Sequence, residues 1–596
     1  MDVKTTYDFI VVGGGTAGLV VAGRLAENPK VQVLVVEAGK GDPEKVEEIM
    51  TPALAFHLPE SEYDWAYETK MVSKPGYERT EAKNTRGKVL GGSSCLNYFT
   101  WLKGSSATYD EWVKYGGPSW SFQNCWQYFR KPASFYDEDH LLSFDPPDVG
   151  ENGPDSLLHV SPTRPIPLAE RLFQAWQSRG YSVSGNVWGG NVDGMTHLIR
   201  TVHNGVRSTS NCFIRGKRNI TVLTSTVAEM IVTKDGAAEG VVVQSPEGKA
   251  YYHASQEVIV SCGVFESPKL LMLSGIGPQE ELLARGLPCL ADSWHVGKNL
   301  QDHPILPHVF QVPEDLSMDD VIRPGPRHDK YLQQYRDSKT GPLTSGLLEV
   351  SAFARIEERL QTCKEWRTLK DTEGNDPLGP EGQPHLEIDF VPCFAKPFQP
   401  HIQPPASGGY LTVIVSLLRP RSRGTVSLRS SKATDKPLID LNFLAEQVDV
   451  VGLREGTRFV DEILQKGDGM REVILGEYPK KMPRDSDEEM GTYIHQRVST
   501  GYRQDIEHGV LDERLRVYGI GRIRVIDASV FPIIPDARIQ NAVYMVAEKG
   551  ADMIKEDHAD LFGLSDVGSK PMAKARGIWN AFTTVVTANR ELWRQL

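Results

Sequence analysis

Three groups of residues in this 596-residue chain have the types and spacing to do chemistry. The first lies in YDFIVVGGGTAGLVVAGRLAENPKVQVLVVEAG, where Gly13, Gly15 and Gly18 follow an apolar run and Glu37 stands 24 residues after Gly13. Gly13 and Gly15 permit a tight turn and a close backbone approach to a pyrophosphate, and Gly18 permits close packing of the following helix. Thr16 and Ala17 open that helix, whose N-terminus favours anionic phosphates. Glu37 can accept hydrogen bonds from a ribose diol, which disfavours a 2′-phosphorylated ligand. A glycine turn that holds no ligand is the bland alternative, and the complete strand–turn–helix–strand context weighs against it.

The second group is one residue. Arg538 stands in PIIPDARIQNAVYMVAEKGAD, where a turn enters a long helical pattern. An arginine stays protonated and cannot act as a general base. It can grip a carboxylate bidentately. An ion pair with Asp536 at the helix entrance is the other reading. The third group is a pair of histidines, His495 in GTYIHQRV and His508 before GVLD. Each is a candidate acid or base, or a packing residue.

Elements must position these groups. DFIVV suits a parallel strand buried on both faces, and VQVLVVE supplies the next one. VIVSCGVFESPKLLMLSGIGP reads as strand, glycine turn and short helix. HLEIDFVPCFA and YLTVIVSLLRPRSRGTVSLRS read as antiparallel strands, the latter a pair joined by its Pro-Arg-Ser-Arg-Gly turn. Residues 318–345 and 364–385 are polar and rich in Gly and Pro, and read as loops. The expected fold is α/β (α+β): a discontinuous dinucleotide domain with an inserted, mainly antiparallel sheet domain. The expected boundaries are 1–160, 205–310 and 510–560 for the first domain and 161–204 with 311–509 for the second. Residues 561–596 would form an extension.

Composition excludes other classes. A net charge of −12 argues against a nucleic-acid or anionic-membrane surface, which needs clustered Lys and Arg. No apolar run is long enough to span a membrane. The N-terminus has neither a basic nor an apolar leader region, so a cytoplasmic protein is expected. The seven cysteines form no CxxC and no Cys/His cluster, which points to free thiols and no metal site.

Five blocks occur together: GGGTAG with Glu37, RGKVLGGSSCLN, GVFESPKLLMLSGIGP, HVGKNLQDHP and LRVYGIGRIRVIDASVFP. In this order they resemble the glucose–methanol–choline (GMC) family of FAD oxidoreductases. NTRGKVLGGSSCLNYFTW and IIPDARIQN look most like fungal formate oxidases. The resemblance implies FAD, with Gly13, Gly15, Thr16, Ala17 and Gly18 at its pyrophosphate and Glu37 at the adenosine ribose. It implies that Gly91, Gly92, Ser94, Asn97 and Phe99 run along the pyrophosphate and flavin, and that the backbone of Val227 reads the adenine. Asp527 and Ala528 would lie beside the ribityl chain and ring. Leu96 stands where covalently flavinylated members carry histidine, so non-covalent FAD is expected.

The implied activity is hydride transfer from a small substrate to flavin, with Arg538 holding a carboxylate as in formate oxidases. A larger alcohol or aldehyde is one alternative, and a flavin-binding protein without redox turnover is another. The family's T-x-x-H-P-x-G-T block is cut short in STGYRQDIEHGVLD, and its catalytic histidine has no counterpart. A true deletion and a misjoined exon give the same sequence. His508 is left as the nearby histidine. In the tail, Trp579, Phe582, Val586 and Trp593 approximate one helical face. Docking of that face on the body, or on a second copy as a homodimer, is expected ahead of a membrane-surface role.

Overall fold

The computed structural model describes residues 5–74, 77–138, 141, 149–150, 153, 156–162, 164–184, 187–500 and 509–564. The chain divides into two units, 1–551 and 552–596. In the second, the described part ends in a short helix, Ala559–Phe562, closed by Gly563 in the left-handed region.

The elements that frame the site are, in chain order, β1 (Thr6–Val12), α1 (Thr16–Leu25), β2 (Val33–Val36) and β3 (Gly194–His197). There follow β4 (Ile220–Leu223), β5 (Val227–Lys234), β6 (Ala237–Ser245), β7 (Gly248–Val260) and α2 (Gly263–Leu273). Next come β8 (Pro304–Val312), β9 (Val350–Ala354), β10 (Leu386–Val391), β11 (Gly409–Leu417) and α3 (Gln447–Lys466). The last are β12 (Gly476–Tyr478), α4 (Asp487–Arg497), β13 (Ser499–Thr500), β14 (Ile523–Val525) and α5 (Gln540–Asp557).

The first sheet runs β4-β2-β1-β7-β6-β5, with β14 also paired to β7. Its β4/β2, β2/β1, β1/β7 and β7/β14 pairs are parallel. Phe9, Ile10 and Val11 are fully buried, as their continuous apolar run requires of a strand covered on both faces. This register aligns the C-terminal ends of β1, β2 and β7, so the turns after Val12, Val36 and Val260 meet at one edge. In open α/β sheets that edge is where ligands bind.

The second sheet runs β12-β8-β11-β10-β9-β3, with β13 on β8, and every pair is antiparallel. Alternation divides it into two faces. Val350, Ala352, Leu386, Ile388, Phe390, Val413 and Val415 join Leu453, Val460 and Ile463 of α3 in one apolar core. On the opposite face Thr196, Ser351, Glu387, Asp389, Thr412 and Ser416 are all buried.

Two expectations are corrected. Thr425–Ser427 does not pair with β11; it pairs with Leu438–Asp440 in a separate sheet. The cause lies in the intervening turn, where buried Asp449 of α3 accepts hydrogen bonds from the Arg421 and Ser422 amides at 2.7 and 2.9 Å. This holds the turn open, and a bridge from Leu300 to Gly424 carries the chain away. The polar segments read as loops contain helices, Pro326–Ser338 and Lys364–Glu373. Each buries one aromatic, Tyr335 or Trp366, so neither shows an apolar period. The signals overlooked were Pro326 at a helix start and Gly374 at a helix end.

Among the described residues no helix is long and apolar enough to cross a membrane. All seven cysteines are free.

Candidate active site

The turn after β1 and the start of α1 form one end of a cavity of about 290 Å³. Gly13 has a φ of +101° and lies against Ser261, whose carbonyl oxygen would be 2.3 Å from a Cβ at this position. A Cβ at Gly18 would stand 1.9 Å from the Gly13 carbonyl oxygen, so Gly18 serves close packing and lies behind the wall. Gly13, Gly15, Thr16 and Ala17 line the cavity. No side chain caps the N-terminus of α1. A second glycine turn closes over it: the Gly91 amide donates to the Gly14 carbonyl at 2.7 Å, and a Cβ on Gly92 would come within 2.7 Å of the Gly15 Cα. The uncapped helix end under a cradle that any side chain would fill fits the pyrophosphate of a dinucleotide.

Glu37 lies at the end of β2 in the cavity wall. Its carboxylate accepts from the Gly14 amide at 2.9 Å and the Gly39 amide at 2.7 Å. Burial nevertheless pushes its pKa up to about 7. Val227 opens β5 and lines the same end, beside Thr226, whose amide donates to the Glu37 carbonyl. A ribose diol donating to Glu37 would favour the ionised form, so below about pH 7 such binding would release a proton. Cofactor affinity is therefore expected to be full above about pH 7 and to weaken as pH falls through that value. Fluorescence of released flavin measures it, and Glu37→Gln should flatten the profile.

The loop after Gly92 carries Asn97 and Phe99 into the wall, while Gly91 and Ser94 support it from behind. The Ser94 hydroxyl donates to the Gly91 carbonyl at 2.7 Å. Phe99 holds a φ of +68°, an uncommon conformation for a bulky residue. Arg207, which the sequence did not single out, fixes this shape. Its Nη1 donates to the carbonyls of Ser94 and Asn97 and to Asn97 Oδ1, and its guanidinium stacks 3.9 Å from the Phe99 ring centroid. Burial lowers its pKa to about 9. Asn97 also donates to Gln540 at the start of α5.

Asp527 and Ala528 complete this wall. Asp527 accepts from the Gly263 amide at 2.9 Å, the Ser267 hydroxyl at 2.5 Å and the Ser529 amide at 2.8 Å. It thereby ties the start of α2 to the segment after β14. Burial raises its pKa despite these bonds.

Arg538 also lines the cavity, and its partner is not Asp536. Asp536 is fully buried and accepts from the Ser105 amide at 2.9 Å. Arg538 instead faces two carboxylates on β10. Its Nε donates to Glu387 at 3.1 Å, and its Nη2 pairs with Asp389. Glu387 and Asp389 are 0% and 1% exposed against 18% for the arginine. Among the described residues Nη1 has no hydrogen-bond partner. Behind this trio, buried Arg200 and Glu349 lie 3.4 Å apart. Burial holds Arg200 below its usual pKa, and the Arg538 charge pushes in the same direction.

His495, on α4, has Nδ1 2.7 Å from the Gly491 carbonyl oxygen and is not part of the wall. His508 lies outside the described residues. Among the described residues no cluster of His, Cys, Asp and Glu could hold a metal.

Comparison with known proteins gives the family. Family models described as GMC oxidoreductase match residues 7–305 and 420–547. An oxygen-dependent choline dehydrogenase of Photobacterium profundum is 31% identical over 92% of this chain and 93% of its own length. The dehydrogenase pkfF of Emericella nidulans is 30% identical, covering 93% of this chain and 94% of its own. The structure of an Aspergillus oryzae formate oxidase, a variant with one arginine changed to lysine and studied for FAD modification, superposes with a TM-score of 0.91. It shares 45% identity over 94% of this chain and 99% of that one. With two family models matched in order, this chain belongs to the GMC oxidoreductase family and is an FAD-dependent oxidoreductase.

Proposed function

We propose that the substrate is formate, with its carboxylate held by Arg538. The observation that carries this reading is the guanidinium in the cavity wall, anchored along its Nε–Nη2 edge with Nη1 left for a ligand. The likeness to a formate oxidase supports it. Bound FAD supplies the hydride acceptor. The residues of the chain do the rest. Gly13, Gly15, Thr16 and Ala17 hold the dinucleotide phosphates, and Glu37 and Val227 hold the adenosine. Asn97, Phe99, Asp527 and Ala528 shape the flavin end, backed by Gly18, Gly91, Gly92 and Ser94.

An alcohol must lose its hydroxyl proton as the hydride leaves, and a missing base costs about 2 to 4 orders of magnitude in rate. Formate is already an anion. Loss of hydride from its carbon gives carbon dioxide with no proton to remove, so orientation by an arginine supplies most of what the step needs. Leu348, Phe99 and Phe398 add apolar surface to the same cavity.

His508 is the second catalytic candidate, on its sequence position alone. Its change to Ala is expected to slow reoxidation of the reduced enzyme more than reduction by formate, as stopped-flow absorbance would show. Leu96 stands where the resemblance places histidine in covalently flavinylated members, which supports non-covalent FAD, and acid precipitation should release it. The reading as a whole is tested by mixing the enzyme anaerobically with formate and with a panel of alcohols and aldehydes. Bleaching of the flavin by formate is expected. Bleaching only by a larger alcohol or aldehyde would replace this substrate, and a spectrum that never changes would favour a non-redox role.

A further inference from the structure

We infer that Arg207 and Asn97 position Gln540 so that its side-chain N–H donates to the flavin and stabilises the negative charge the ring gains with the hydride. The inference rests on the placing of the flavin end at Asn97 and Phe99.

Arg207 is 2% exposed and forms no ion pair with a carboxylate among the described residues. Its donors go to neutral groups. Nε donates to the Ile49 carbonyl at 2.7 Å, and Nη1 to the carbonyls of Ser94 and Asn97 and to Asn97 Oδ1. Nη2 has no hydrogen-bond partner among the described residues. Buried charges are ordinarily paired, so this cation lacks the counter-charge its position calls for. A pKa of about 9 keeps it protonated at neutral pH.

Asn97 passes this polarity on. Its Oδ1 accepts from Arg207 Nη1 at 3.0 Å and from the Phe99 amide at 3.2 Å. Two donors at one atom fix which way the side-chain amide lies, so Nδ2 faces Gln540 and donates to its Oε1. That bond fixes the Gln540 amide in turn. Its oxygen is taken, and Nε2 is a buried donor with no partner among the described residues. Gln540 lines the cavity, two residues after Arg538. The chain from Arg207 through Asn97 to Gln540 starts at a cation and runs donor to acceptor at each link. Such a chain is polarised toward its last N–H, which here is the one left for a ligand.

A hydride brings one proton and two electrons to the ring, so the ring takes on one negative charge. A preorganised donor beside charge that develops only on reduction favours the reduced ring. Gln540 thereby raises the reduction potential of the flavin.

The test is the midpoint potential of the FAD-loaded enzyme, measured without formate by equilibration with a redox dye. Gln540→Leu should hold FAD in full and move the flavin's visible absorption bands. It should shift the reduction equilibrium toward the oxidised form by about ten- to a hundredfold, the worth of one hydrogen bond to a charged group, or about 30–60 mV for two electrons. Arg207→Lys and Asn97→Ser break the chain at earlier links and should lower the potential as well. Combined with Gln540→Leu, their shifts should not add, since all act through one chain. An unchanged or raised potential in Gln540→Leu, or additive shifts in the double variants, would overturn the proposal. Loss of flavin from Gln540→Leu would overturn it too, being the mark of a merely structural residue. Failure of the underlying placement looks different: Gln540→Leu would then leave the absorption bands unmoved as well as the potential.

Discussion

Arg538→Ala is expected to lower the rate of flavin reduction by formate by about two to four orders of magnitude. A charge-assisted hydrogen bond from Nη1 to an ionised group contributes roughly 1.5–3 kcal/mol, and the loss of the cation's attraction for the anion in a low-dielectric pocket adds to it. Rapid mixing without oxygen reads the loss directly. Arg538→Lys keeps the charge and loses the planar fork, so it should fall between the two. The alanine variant also leaves Glu387 and Asp389, 0% and 1% exposed, without this cation. Breaking a buried pair by deleting one partner costs roughly 3–5 kcal/mol. A lower urea midpoint should therefore accompany the lost activity. Adding guanidinium ion at a concentration below its denaturing range should restore part of the rate if geometry is what was lost.

Glu548→Ala is expected to destabilise the protein by about 3–5 kcal/mol, measured by urea unfolding, without touching the cavity. Glu548 is fully buried on α5 and accepts from Arg24 Nε and Nη2 on α1, at 2.8 and 2.6 Å. Lys131 adds a contact at 3.3 Å. The two helices whose starts face the cofactor are thus joined by one buried ion pair. Replacing both Arg24 and Glu548 by apolar residues of similar volume should recover much of the loss, because the cost comes from the stranded charge.

The strand–turn–helix–strand unit was legible because its signals are local. Gly13, Gly15, Gly18 and Glu37 lie within one strand–turn–helix–strand unit, where sequence spacing is spatial spacing. The substrate half depends on long-range pairing. Glu387 and Arg538 are 151 residues apart, and nothing in PDARIQN names its partner. LEIDFV shows the alternation of a strand with one apolar face, yet alternation cannot tell a solvent face from a buried polar one. Two acidic residues on an otherwise apolar strand were the available signal. Arg207 was hidden for the same reason, since its bonds reach residues 94 and 97 from a short turn-rich segment. The missed helices were polar and carried one aromatic anchor each, which leaves periodicity nothing to detect.

In the proposed reaction formate gives its hydride to the flavin while Arg538 holds its carboxylate. The most direct measurement is the flavin absorbance after anaerobic mixing of enzyme with formate or with formate deuterated at carbon. Bleaching is expected with both, slower with the deuterated substrate, and nearly abolished in Arg538→Ala. A flavin that stays oxidised with formate, or that bleaches equally fast in Arg538→Ala, would contradict it.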